Sequence, residues 1–304
     1  MPIHLLPAPE VRPAALSRRD ALRRLALGGA ALGLGRAAAA RPPSDPRGWY
    51  ALVSDTHIAA DPTARSRGQT MAENLRAVIA DILAQDDPPR GVVINGDLAL
   101  AEGQSGDYRT LLTLIEPLRA ARLPIHLALG NHDDRDHVRE VLGALVPPET
   151  AVVAKHISEV EGPDSRFVIL DSLDQVNVTP GTLGAAQRAW LARSLDARPE
   201  TATILLVHHN LDTTRGTGLS DTAALLEIIR PRRQVKAVIY GHTHVWDVQT
   251  DAHGLQRINL PAVGYPFAAD QPLGWCRFWP SRDAGDLTLR TIGGDHSRDT
   301  PLLT

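Results

Sequence analysis

The sequence predicts an α/β fold in which the early strands pair in parallel and the late strands form a more antiparallel sheet. Three observations predict it. Short aliphatic runs alternate with segments of helical apolar spacing, the pattern of strands joined by helical crossovers. Beyond Val245 the helical segments stop and short strand-like runs follow one another. The 304-residue chain is 43% apolar but only 4% aromatic, so the core must be aliphatic.

The elements follow in order. Residues 49–54 (W-Y-A-L-V-S) are the first strand. Residues 70–84 are a helix, with Met71, Leu75, Val78, Ile79 and Ile82 at helical spacing. Residues 91–95 (G-V-V-I-N) are a short buried strand, and 107–121 a helix opened by Asp107 as an acidic N-cap. Residues 124–129 are the next strand. Strands at 165–170 and 203–207 flank a helix over 183–195, and a helix near 219–229 precedes a strand at 235–240. Short strands follow at 245–250, 255–259, 275–279 and 286–291, with the Pro- and Gly-rich stretch 259–274 as a loop.

Residues 1–40 read as an export signal. S-R-R-D-A-L at 17–22 precedes an apolar run at 25–34, then Ala37-Ala38-Ala39-Ala40 before Arg41. A charged front, an apolar middle and a small-residue exit mark a cleaved secretory signal, and Arg18-Arg19 gives it the twin-arginine character. The apolar run falls short of the ~20 residues a spanning helix needs. The chain is therefore expected to be exported, periplasmic or secreted, through the twin-arginine machinery, with no stable membrane anchor after cleavage. Residues 41–304 are expected to form a single domain, with a motif core at about 50–248 and strands in 249–304 completing the second sheet.

The net charge is −3, and the arginines of the leader make the remainder more acidic. A chain without a basic footprint is not expected to bind nucleic acid. Cys276 stands alone, which excludes an intrachain disulfide, a cysteine zinc site and an iron–sulfur cluster.

Metal-binding residue types follow one strand after another: Asp55-Thr56-His57, Gly96-Asp97, Gly130-Asn131-His132-Asp133, His208-His209 and Gly241-His242-Thr243-His244. In open α/β sheets ligands bind beyond the carboxyl ends of the strands. Within Asp55-x-His57 and His242-x-His244, alternate residues of an extended strand end are expected to point the same way. Glycines 96, 130 and 241 allow sharp turns close to the site. Carboxylate, amide and imidazole together suit Fe, Mn, Zn, Co or Ni. A carboxylate shared by two ions would hold them ~3.5–4 Å apart, the spacing used in two-metal phosphoryl chemistry. Each short motif is weak alone, and their joint order at strand ends carries the weight.

That ordered set resembles the calcineurin-like metallophosphoesterases over about residues 50–248. G-N-H-D-D-R at 130–135, L-D-S at 170–172 and Q-R-A-W-L at 187–191 resemble the bacterial cyclic-nucleotide and glycerophosphodiester phosphodiesterase group within them. The resemblance implies a four-layer αββα sandwich of two mixed sheets flanked by helices. It implies two divalent transition-metal ions, one held by Asp55, His57 and His244 and the other by Asn131, His208 and His242, with Asp97 bridging. His132 would face the phosphate, stabilising the transition state or protonating the leaving oxygen. A metal-bridging hydroxide would attack phosphorus in line. The family often has proline soon after the histidine pair, whereas here Asn210-Leu211 follow in a loop that would border the substrate.

The expected function is a metal-dependent phosphodiesterase acting on a small diester. An exported phosphomonoesterase is the alternative, and a metal-binding protein without catalysis a third. Arg135 and His209 are further candidates for substrate contact, with a solvated helix residue and a packed neighbour as the opposing assignments. Tyr265, Trp275 and Trp279 either line a pocket or pack in the core.

Overall fold

The structure, a computed structural model, describes residues 4–5, 48–147, 151–283 and 285–294. The export-signal segment, apart from His4 and Leu5, lies outside the described residues.

The strands are β1 (His4–Leu5), β2 (Tyr50–Val53), β3 (Arg65–Ser66), β4 (Gln69–Thr70), β5 (Gly91–Asn95), β6 (Ile125–Ala128), β7 (Ser158–Glu161), β8 (Ser165–Leu170), β9 (Ala202–Val207), β10 (Val235–Tyr240), β11 (Asp247–Thr250), β12 (Gln256–Asn259), β13 (Pro272–Pro280) and β14 (Gly285–Gly294). The helices are α1 (Met71–Leu83), α2 (Ser105–Leu114), α3 (Glu116–Ala120), α4 (Arg135–Leu142), α5 (Gly184–Asp196) and α6 (Thr222–Ile229). Among the described residues the strands build two six-stranded sheets, β1-β14-β13-β2-β5-β6 and β11-β12-β10-β9-β8-β7, plus the β3–β4 hairpin.

Three apolar cores separate four layers. Leu52, Val93, Phe167, Ile204, Ile239 and Phe278 pack between the two sheets. The opposite face of the first sheet, with Val53 and Ile94, packs on Leu75, Val78, Leu111 and Val138 of its helices. The outer face of the second sheet, with Val168, Leu205 and Val238, packs on Leu191, Leu195, Leu225 and Ile229. Parallel β2, β5, β8, β9 and β10 are apolar at successive positions because both their faces are covered.

The structure corrects three expectations. The helix expected over 107–121 is two helices, since Pro117 has no N–H to continue the ladder through Ile115. Asp107 is not the N-cap. It sits three residues after the cap Gln104 and accepts hydrogen bonds from the Gln104 and Ala60 amides at 3.1 and 2.7 Å. The strands of 249–304 do not all complete the second sheet. β12 lies parallel to β10 and β11 antiparallel to β12, but β13 pairs antiparallel with β2 and β14 with β13. β13 is apolar on both faces, with Phe278 in the inter-sheet core and Trp275 under α1, so it needs the doubly covered slot beside β2. β7 and the β3–β4 hairpin carry no clear periodic signal and were not legible in the sequence.

Candidate metal centre at the strand ends

The loops after β2, β5, β6, β9 and β10 meet at one edge of the sandwich. Asp55 N–H donates to the Gly96 carbonyl at 3.2 Å, His57 N–H to that of Asp97 at 2.9 Å, and Gly241 N–H to that of His208 at 3.0 Å. These bonds join neighbouring strand ends within each sheet, and the His242 N–H, donating to Asp55 Oδ1 at 3.0 Å, ties the two sheets together at the site. Close approach needs glycine there. A Cβ on Gly130 would lie 2.2 Å from an Asp97 carboxylate oxygen, and one on Gly241 2.4 Å from that of Asp55.

Asp55-x-His57 and His242-x-His244 are not extended strand ends. Asp55, His57, His242 and His244 have φ of 54, 49, 68 and 53°, and Asp97 46°. The left-handed region costs a non-glycine residue of order 1–3 kcal/mol and is concentrated at functional sites. The strands stop before these residues, and the tight turns aim their side chains inward.

The side chains converge. Asp55, His57 and His244 offer donor atoms all within 4.8 Å of one another, as do Asp97, His208 and His242. His57 Nε2 lies 3.0 Å from His244 Nε2, and Asp97 lies 3.1 Å from His208 Nε2 and 3.7 Å from His57 Nε2. Asp97 thus touches both groups. His132 also falls within 4.8 Å of His57 and Asp97, so the ligand-type histidines do not end at the set the resemblance implies.

Imidazole orientation is fixed from behind. The Nδ1 of His57, His208 and His244 face the carbonyls of Leu100, Asn95 and Tyr265 at 3.3, 2.9 and 2.5 Å. An Nδ1–H donated to a carbonyl leaves Nε2 with its lone pair free for a metal. Asn131 Oδ1 and His242 Nδ1 are buried without a hydrogen-bond partner, and His208 Nε2 faces only the Asp97 carboxylate. Buried polar atoms are otherwise nearly always paired. A divalent cation at their focus satisfies all three, so the donor set fits one.

The charges are strongly coupled. Burial raises the Asp55 carboxyl, but neighbouring His244 and His208 override it and hold it at about 2. Asp97 is likewise held well below the usual carboxylate range, with His208 overriding burial. Burial lowers His208, but Asp97 overrides it and lifts the imidazole to about 10. His57 and His242 are pushed down to about 4, chiefly by burial. Without a cation, His208 is therefore the positive partner of Asp97.

Asp133 was not singled out by sequence. It is buried behind the centre and accepts from the amides of Leu98, Ala99 and Gly130 at 2.9–3.1 Å. Burial, then the charge of Asp97, pushes it up to about 6. It clamps the Gly96-Asp97 and Gly130-Asn131 loops together. An aspartate ending G-N-H-D was its available signal.

The two candidate substrate contacts lie elsewhere. Arg135 is turned to Asp171, bonded through Nε and Nη2 at 2.7 and 2.9 Å, and does not line the cleft. A fully buried carboxylate at the end of β8 holds it, so Arg135 is a structural link. His209 is fully buried, with Nδ1 2.8 Å from Ser172 Oγ and its ring beside His242 at 4.7 Å, and it too is absent from the cleft wall. Tyr265 stacks on His57 at 4.7 Å, and the half-exposed Phe267 on His244 at 4.0 Å. Trp275 is buried in the core.

The centre opens into a cleft of about 950 Å³, lined near the metal residues by His57, Asp97, Asn131, His132, His242 and His244. Asn210 to Thr213, Arg215 and Thr217 of the loop after β9 form another wall.

The chain is similar to known proteins. A family profile described as calcineurin-like phosphoesterase matches residues 49–246. The chain is 28% identical over 224 residues to the 3′,5′-cyclic adenosine monophosphate phosphodiesterase CpdA of Haemophilus influenzae, covering 72% of this chain and 77% of that one. It is 26% identical over 210 residues to the enzyme of the same name from Pseudomonas aeruginosa, covering 67% and 72%. Among solved structures, a dimetal phosphatase from Danio rerio superposes with a TM-score of 0.63 at 17% identity, covering 82% of this chain and 98% of that one, a likeness of fold. The profile takes in well over half of the chain and all five ligand-bearing strand ends, and the chain belongs to the calcineurin-like phosphoesterase family.

Proposed function

We propose that the protein is an exported phosphodiesterase that binds two divalent transition-metal ions and hydrolyses a small phosphodiester of the cyclic-nucleotide or glycerophosphodiester type. The convergence of two ligand groups on Asp97 carries this assignment. Relatives named as cyclic AMP phosphodiesterases support the diester.

In this assignment Asp55, His57 and His244 would hold one ion, Asn131, His208 and His242 the other, and Asp97 would be shared. Ions held there would supply positive charge to the phosphoryl oxygens and make a water nucleophile available near neutral pH. The protein's own part is positioning. The His132 amide donates to Asp97 Oδ1 at 2.9 Å, and its Nδ1 is held by the Ala101 carbonyl at 2.8 Å. His132 lines the cleft, and with Nδ1–H given to Ala101 its Nε2 donates to a phosphoryl oxygen or to the departing alkoxide as the imidazolium, which carries a proton on both nitrogens. His209 serves His242 and His208 as a packed, neutral neighbour, its imidazole kept well below the ordinary range by burial.

Export rests on Arg18-Arg19 and the apolar run behind it. No helix among the described residues is long and apolar enough to cross a membrane. An exported enzyme meets its diesters outside the cytoplasm.

Purified protein loaded with manganese or zinc is assayed on bis-p-nitrophenyl phosphate and p-nitrophenyl phosphate, with bound metal counted by mass spectrometry. Diester preference with two ions per chain is the expected result. Monoester preference would replace it with a phosphomonoesterase, and inactivity on both with metal bound would leave a metal-binding protein. Replacing Arg18 and Arg19 by lysine should retain the protein in the cytoplasm; unchanged fractionation would remove the twin-arginine assignment.

A further inference from the structure

Beyond the metal residues, the cleft has a polar wall built from three strand ends. Tyr240, Asn259 and Asp247 lie in one cross-strand row on β10, β12 and β11, and Arg257 pairs with Gln249 in the next. Directly paired residues share a sheet face. In β10 that face carries Val238, which packs under α5 and α6. Towards the β11 edge the same face turns from apolar to polar and opens into the cleft, which all five residues line.

This wall is joined to the metal centre. Asn259 Nδ2 donates to Thr243 Oγ1 at 2.6 Å, and Thr243 sits between His242 and His244. Several of its polar atoms have no partner. Asn259 Oδ1 and Arg257 Nε are buried and unpaired, as is Oδ1 of Asn210 in the loop after β9. Asn259 and Asn210 are 6% and 8% exposed. A buried carboxamide oxygen without a donor is costly, on the order of 1–3 kcal/mol, unless something supplies one. Folding alone leaves two acceptors and one donor without partners on residues that line one cleft. Thus the complement is a ligand group carrying both donors and acceptors.

We infer that this wall binds the alcohol half of the diester and selects a group rich in hydroxyl or amino donors, of the nucleoside type, over an alkyl or plain aryl group. The inference rests on the phosphodiesterase assignment and adds its specificity. The cleft is within the size range of sites that enclose a nucleotide-sized ligand. The loop after β9 also lines the cleft, through Asn210, Leu211 and Asp212.

The test is a ratio. kcat/KM is measured for 3′,5′-cyclic AMP and for bis-p-nitrophenyl phosphate, whose aryl groups carry no donor, in the wild type and in Asn210→Leu, Asn210→Asp and Arg257→Met. The cyclic AMP to aryl-diester ratio should fall about tenfold in Asn210→Leu and Arg257→Met, roughly one hydrogen bond's worth. It should be largely kept in Asn210→Asp, which retains an acceptor. Glycerophosphocholine is run alongside, and a selective fall on it alone would assign the wall to glyceryl esters. Parallel losses on all substrates, or an unmoved ratio in both variants, would overturn the inference. If the wild type cleaves no diester, the functional assignment fails first. Titration of AMP and inorganic phosphate into the manganese-loaded protein then decides the wall separately. Tighter AMP binding that Asn210→Leu abolishes supports it, and equal affinity for the two overturns it.

Discussion

Asp97 and His208 form the charge pair on which the centre turns, 3.1 Å apart and both buried. If Asp97 is shared by both ions, Asp97→Asn should lose metal and reduce kcat/KM by at least about a hundredfold, checked by metal counting and diesterase assay. His132→Ala should keep its metal content and lose about 10²–10³ in kcat, the usual loss for one donor aimed at developing charge. The pH dependence follows from His208. Its imidazole stays protonated up to about 10 in the metal-free protein. A metal needs it neutral, so loading near pH 8 should release about one proton from His208 per chain. Weakly buffered titration with an indicator dye measures this, and affinity should weaken as pH falls. The sign for stability is opposite. A raised folded-state pKa stabilises the metal-free protein fully below the unfolded value near 6.5 and ceases to do so as pH rises through about 10. The types and order of these candidate ligands, and their meeting at the strand ends, were legible in sequence. Their left-handed turns, carbonyl-bound Nδ1 atoms and the clamp at Asp133 were not, because each depends on backbone brought in from another loop.

At the scale of elements, Arg135 ties the start of α4 to the end of β8 through Asp171. Arg135→Ala should therefore lower stability and leave KM of the folded enzyme nearly unchanged. Breaking a buried pair typically costs about 3–5 kcal/mol. Here Arg135 is 28% exposed and Asp171 keeps the amides of His156 and Leu173, so about 2 kcal/mol is expected from urea denaturation. A raised KM at unchanged stability would restore Arg135 as a substrate contact. Sequence periodicity located most strands and helices to within a few residues, since burial on both faces leaves a local apolar run. It did not show the break at Ile115 or the assignment of β13 to the first sheet. The former follows from one proline, and the latter from pairing with β2, more than two hundred residues earlier in the chain.

At the scale of the molecule, β1 is a two-residue edge strand beside β14. It falls within the segment assigned to export. A chain beginning at Arg41, the mature form that export implies, should keep its metal-dependent activity and melt within about 1–2 °C of the longer one, the shift that a change worth about 0.5 kcal/mol produces. Calorimetry of the two chains checks it, and a large drop would make the N-terminal residues part of the fold.

What the sequence by itself determined is the alternation that produces the sandwich and the ordered ligand set at its strand ends. Both are local, because an apolar run and the residue that ends it are adjacent in the chain. Only the tertiary structure decided that Asp97 stands between the two ligand groups, that Arg135 belongs to Asp171, and that the β10–β12 face opens as a polar wall. Those facts depend on register and on which buried polar atoms find partners, and both arise when distant segments pack together.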